Sequence, residues 1–139
     1  MLAEGESTYP ADWLQVAADD FQRVPRRLAE GDVVDAAIHL QQAIEKYLKA
    51  FLLSRGWRLE RIHDLRALLE QAAGYELCLK KFRGLCAEVT AYYIQERYPI
   101  FRSKPDREEI QANFEQAQEL VEIIEQLTET HLEGDSNAN

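Results

Sequence analysis

The chain has 139 residues, 46% hydrophobic and 29% charged, with a formal net charge of −9. That length suits one domain with a substantial core, and that balance describes a globular chain rather than a disordered one. Its longest apolar runs are only a few residues, which excludes a bilayer span, and its acidic total would repel a polyphosphate backbone at long range.

The total hides an asymmetry. Residues 1–45 carry three basic and nine acidic side chains, residues 46–107 thirteen and seven, and residues 108–139 none and nine. A small anion could be held by the basic middle, or the acidic last helix could lie across that middle and neutralise it. The first ten residues lack the positive and apolar regions of a secretory signal, and the expected location is the cytoplasm. Cys78 and Cys86 are eight apart, about 12 Å along a helix, too far to bridge within one straight helix. They are expected to be reduced, buried thiols.

Residues 1–10 are expected to be flexible, 11–132 to form a helical bundle, and 133–139 to be a disordered tail. Pro10 and Asp12 carry helix-start chemistry before Trp13, and Leu14, Ala17, Phe21, Val24 and Leu28 keep helical spacing to about Glu30. Pro25 is expected to kink or divide that helix. Gly31 makes a turn, and Asp32 can cap the next helix.

The central stretch is Ala36 to Leu53, which has neither Gly nor Pro. Ala36, Leu40, Ala43, Ile44, Tyr47, Leu48 and Phe51 share one broad face, the pattern of a core-facing helix. Gln42, Lys46 and Lys49 make a polar stripe opposite, yet Ile38 and Leu53 fall in the same sector. Either that side is partly covered, as by a second subunit, or the two are isolated surface residues. Gly56 suits the position after the helix.

Ile62, Leu65, Leu69 and Ala72 predict a third helix ending at Gly74. Leu79, Phe82, Leu85, Cys86, Val89, Tyr92 and Tyr93 predict a fourth, ending near Arg97 because Tyr98 precedes Pro99. Residues 98–105 are expected to form a loop. Asp106 can cap a last helix whose stripe is Ile110, Phe114, Ala117, Val121, Ile124 and Leu127. No segment alternates with period two, and no internal repeat is visible. The expectation is all-α: an up-and-down antiparallel helical bundle of four to five helices.

Established catalytic spacings are absent: no P-loop, no dinucleotide fingerprint, no H-E-x-x-H and no C-x-x-C. His39, His63 and His131 fall in three different segments, so no metal site is expected. Three stretches remain. Lys46 and Lys49, one turn apart beside Gln42, could hold a phosphate or a partner's carboxylate, or simply cover apolar surface with their stems. His63, beside Asp64 in the first turn of the third helix, could bind a ligand or carry a proton, or be a structural histidine bonded to a carbonyl. Arg97 has the fork that suits a phosphate and also suits a helix C-terminus; Arg102 and Lys104 could complete an anion site.

With AAIHLQQAIEKYLKAFL in the long second helix, HDL opening the third and YYIQERYP ending the fourth, the chain resembles a HEPN domain over roughly residues 14–128. The resemblance implies a helical bundle, a homodimer, and a role in binding a nucleotide such as ATP or GTP. It also implies partnership with a minimal nucleotidyltransferase in a toxin–antitoxin-like pair. It carries interest to Gln42, Glu45, Lys46, His63, Asp64, Arg97, Tyr98 and Pro99. HEPN ribonucleases bear Arg and His separated by four to six residues late in the fold. No histidine stands at those distances after Arg97 or Arg83, and the match from Arg58 to His63 lies before the third helix. The leading expectation is therefore a binding protein rather than an enzyme, with ligand contacts from Gln42, Lys46, Lys49, His63, Arg97, Tyr98 and Arg102. The alternatives are a metal-independent ribonuclease using His63 with Arg97 or Arg58, and a purely structural dimeric adaptor. RNA is the less expected ligand, and no membrane partner is expected.

Overall fold

The computed structural model describes residues 6–97 and 105–137, with side chains described over 6–93 and 105–129. Five α-helices follow one another: α1 Pro10–Ala29, α2 Val33–Ser54, α3 Leu65–Tyr75, α4 Arg83–Arg97 and α5 Arg107–Asn137. A six-residue 3-10 helix, Leu77–Phe82, leads into α4. No strand occurs among the described residues.

The starts and turns follow from local chemistry. Pro10 stands in the first turn of α1, where its missing N–H costs nothing. Trp13 Nε1 donates to the Ser7 carbonyl at 2.8 Å, which ties the preceding segment to the helix. Asp32 caps α2 by accepting from the Asp35 N–H, and Asp106 accepts from the Glu108 N–H at the start of α5. Gly31 and Gly56 have φ of 81° and 86°, a region costly for any residue with a Cβ, and they turn the chain at both ends of α2.

Four boundaries differ from expectation. α1 runs unbroken through Pro25, whose ring lies on the exposed side where water can serve the released carbonyl. α3 starts at Leu65 rather than Ile62, so Asp64 is its N-cap and accepts from the Arg66 N–H. The Leu65 N–H is met by the buried Thr90 hydroxyl at 3.0 Å, a bond from α4 that no local pattern reveals. The expected fourth helix is split, its first turns being the tighter 3-10 form common in connectors. α5 continues to Asn137, beyond the boundary at 132.

α2 is the axis of the bundle. It packs against each of the other four α-helices, most extensively α1. Leu40, Ile44, Tyr47, Leu48, Phe51 and Leu52 are buried along it, against Val24 and Leu28 of α1, Leu68 of α3, Val89 of α4 and Ile124 of α5. Two tyrosines join the core to α5: Tyr47 donates to Glu125, and Tyr92 donates to Glu109 at 2.7 Å while accepting from Asn113 at 2.9 Å. Burial, reinforced by the neighbouring carboxylates, holds both phenols protonated well above the ordinary tyrosine range.

The side of α2 opposite the broad apolar face is covered largely by the chain itself. Gln41, Glu45 and Lys49 are all buried there. Ile38, Gln42 and Lys46 stay partly open, as does Leu53 nearer the end. Charge neutralisation is mostly local: Arg66 pairs with Asp64 and Arg83 with Glu70, whereas Lys81–Glu119 is the one ion pair among the described residues that joins α5 to the basic middle.

Candidate functional site

Helical spacing places Ile38, Gln42 and Lys46 on one line of α2, with Gln41 and Glu45 beside it. The irregular connection before α3 brings His63 to that line, and α4 brings Tyr93. Together these residues line a cleft of about 350 Å³.

Glu45 organises the cleft. Its carboxylate accepts from Lys49 Nζ at 3.1 Å and from Gln41 Nε2 at 3.2 Å. His63 Nδ1 lies 3.2 Å from each of its oxygens. A carboxylate can only accept, so Nδ1 carries the hydrogen. Gln41 also donates to the His63 carbonyl at 3.3 Å, and the imidazole stacks on Tyr93 with ring centres 5.1 Å apart and planes 20° apart. His63 is thus held at its backbone, one ring nitrogen and one ring face, while its side chain stays 45% exposed. Nε2 has no hydrogen-bond partner among the described residues and is the nitrogen left to accept from, or give a proton to, a ligand.

The two lysines of the stripe part company. Lys46 lines the cleft, with its ammonium on Asp20 of α1. Lys49 is only 3% exposed: it is bonded to Glu45 and its ammonium lies 5.6 Å from the Trp13 ring centre. Its place is therefore in the support of Glu45, not in the lining. Gln42 lines the cleft, half-buried. Arg58 is exposed in the connection and is not in the lining. Arg97 ends α4, one turn past Tyr93; its side chain and the whole of Tyr98, Pro99, Arg102 and Lys104 lie outside the described residues. The structure therefore unites Gln42, Glu45, Lys46 and His63 from the expected set.

Tyr93 lines the cleft and Asp20 stands behind Lys46, and neither is among the expected site residues. Asp20 had a signal: it is a carboxylate in the core-facing line Ala17, Asp20, Val24, Leu28 of α1. Tyr93 had none, because an aromatic residue on a helical stripe reads as core.

Other chemistry is less well provided. Cys86 is buried in α4, and burial pushes its thiol up to about 12, which keeps it protonated and unreactive. Cys78 is exposed in the 3-10 helix rather than buried as expected, because it faces away from Leu79 and Phe82, which enter the core. A second hollow of about 260 Å³ lies between Arg66, Leu69, Glu70, Arg83 and Ala87, but Arg83 grips Glu70 through two bonds and Arg66 grips Asp64. Among the described residues no group of three or more His, Cys, Asp or Glu could hold a metal ion, and no helix is long and apolar enough to cross a membrane.

These features define a helical-bundle domain with a polar cleft against its central helix. The family model of the HEPN domain matches residues 10–129, nearly the whole chain, and the chain belongs to that family. No curated protein and no solved structure matches it.

Proposed function

We propose that this HEPN-domain protein binds a nucleotide in the α2–α4 cleft and acts, as a homodimer, beside a minimal nucleotidyltransferase in a toxin–antitoxin-like pair. The observation that carries the reading is the convergence of Gln42, Lys46 and His63, from two separate stretches, on one cleft with Tyr93. Such a lining offers what a nucleotide needs: an amide and an imidazole nitrogen for a base or sugar, and an ammonium for a phosphate. Arg97, one turn past Tyr93 on α4, is the residue proposed as a second cation. A nucleotide carried by the nucleotidyltransferase would meet the same groups.

Calorimetric titration of the purified protein with ATP and GTP tests this. Saturable binding that falls at least tenfold in both Lys46→Ala and Arg97→Ala supports the site. Binding unaffected by either change removes the cleft from the reading. Absence of heat in the folded wild type leaves the cleft as a docking surface for the partner protein alone.

One observation favours a second reading, a metal-independent ribonuclease: the Glu45 carboxylate orients His63 as it would a general base. His63→Ala should then abolish RNA cleavage while leaving the fold intact. Cleavage that survives the change excludes His63 as the base.

A further inference from the structure

Lys46 is the only lysine or arginine among the described residues that line the cleft, and its charge is already shared. Asp20 is 3% exposed, and its carboxylate gathers three groups: Lys46 Nζ on Oδ2, His39 Nδ1 at 3.0 Å and Arg23 Nη1 at 3.2 Å on Oδ1. His39 Nε2 in turn lies 3.3 Å from Asp35, which also takes Arg27. Behind the one ammonium among the described lining residues therefore stands a buried carboxylate of α1.

An ammonium has three N–H donors, so Lys46 can touch Asp20 and a ligand oxygen together. Its field in the cleft is reduced, however, because the Asp20 carboxylate is in contact with it, and the exposed Arg23 on the same carboxylate offsets that reduction only in part. Each further negative charge on a ligand gains little from Lys46 and meets repulsion from Asp20 and from Glu45. The carboxylate on α1 thus determines how much negative charge the cleft can accept.

We propose that Asp20 is a specificity-determining residue that makes the cleft favour nucleotides of low charge, nucleoside monophosphates over triphosphates. This rests on the nucleotide-binding reading above. Asp20 touches no ligand; it acts through Lys46.

The test is calorimetric titration of wild type, Asp20→Asn and Arg23→Ala with AMP and with ATP at one low ionic strength, where charge effects are least screened. Wild type should bind AMP about threefold more tightly than ATP. Asp20→Asn keeps an acceptor oxygen for its neighbours but removes the charge. It should tighten ATP about tenfold, roughly 1.4 kcal/mol, and AMP less. Arg23 is half exposed, so Arg23→Ala should fold even if the Asp20 variant does not; it leaves Asp20 less compensated and should weaken ATP about threefold. Arg66→Ala, a surface change of equal charge away from the cleft, should leave both affinities unaltered.

ATP bound as tightly as AMP, or more tightly, by wild type overturns the proposal while the nucleotide reading stands. So does an ATP affinity that neither Asp20→Asn nor Arg23→Ala changes. No binding of either nucleotide by any of these proteins overturns the nucleotide reading and the proposal together.

Discussion

Lys49 illustrates how far one residue's role depends on its neighbours. On a helical wheel it belongs with Gln42 and Lys46, and a solvated lysine there is the ordinary expectation. In the fold it is buried between Glu45 and Trp13. A buried pair is weak support for stability as a whole, yet breaking one side leaves a charge uncompensated in low dielectric. Lys49→Ala should therefore cost about 3–5 kcal/mol in chemical denaturation, with Gln41 and His63 the only remaining partners of Glu45 among the described residues. Lys46→Ala should cost much less, because Asp20 keeps Arg23 and His39. Equal losses in the two variants would show that the burial of Lys49 is unimportant.

Asp64 carries the pH dependence that can be read most directly. The hydrogen bond from the Arg66 side chain, more than any other contact, holds its carboxyl below the ordinary range. A carboxyl lowered in the folded state stabilises the fold above its unfolded value, about 4, and that contribution is lost as the pH falls through the folded value. Asp64→Asn retains a capping oxygen but no charge. Wild type should lose more stability than this variant between about pH 5 and pH 2. The difference should stay under about 1 kcal/mol, because the pair is half exposed and screened. A parallel loss in both proteins would remove Asp64 from the acid response.

At the scale of elements, apolar periodicity and punctuation carried most of the information. The stripes of α1, α2, α3 and α5 were legible because a core-facing line at helical spacing is a local pattern. Gly31, Gly56, Asp32 and Asp106 were legible because each serves the residues next to it. Pro25, expected to kink or divide α1, does not divide it, for the complementary reason. Proline's local cost is real, but α1 packs against α2 more extensively than any other two helices pack, and that packing overrides one lost hydrogen bond. Pro25→Ala restores the N–H facing Phe21 and loses some rigidity in the unfolded chain. The restored bond should outweigh the entropy term, so the variant should be more stable by about 1–2 kcal/mol. A lower melting temperature would mean that the helix is already adapted to the proline. The 3-10 segment before α4 went unseen because its buried residues, Leu79 and Phe82, are three apart, a spacing shared by both helix types.

At the scale of the molecule, α2 is the common wall of every other helix, and its core side chains answer for the whole bundle. Ile44 is fully buried at its midpoint. Ile44→Ala should cost about 2–5 kcal/mol and leave a single cooperative transition by far-ultraviolet circular dichroism and by tryptophan fluorescence. Transitions that separate by probe would mean that the helices do not share one core. By itself the sequence determined the helical class, the central position of Ala36–Leu53, the turns that bound it, and the family, because these rest on relations between residues a few positions apart and on an ordered set of short motifs. The tertiary structure alone decided which polar residues meet. Lys46 finds Asp20 across 26 residues, Glu45 finds His63 across 18, and Thr90 caps Leu65 across 25. Such pairings depend on how helices are laid against each other, and helical periodicity states only which face of a helix turns inward, not what it meets there.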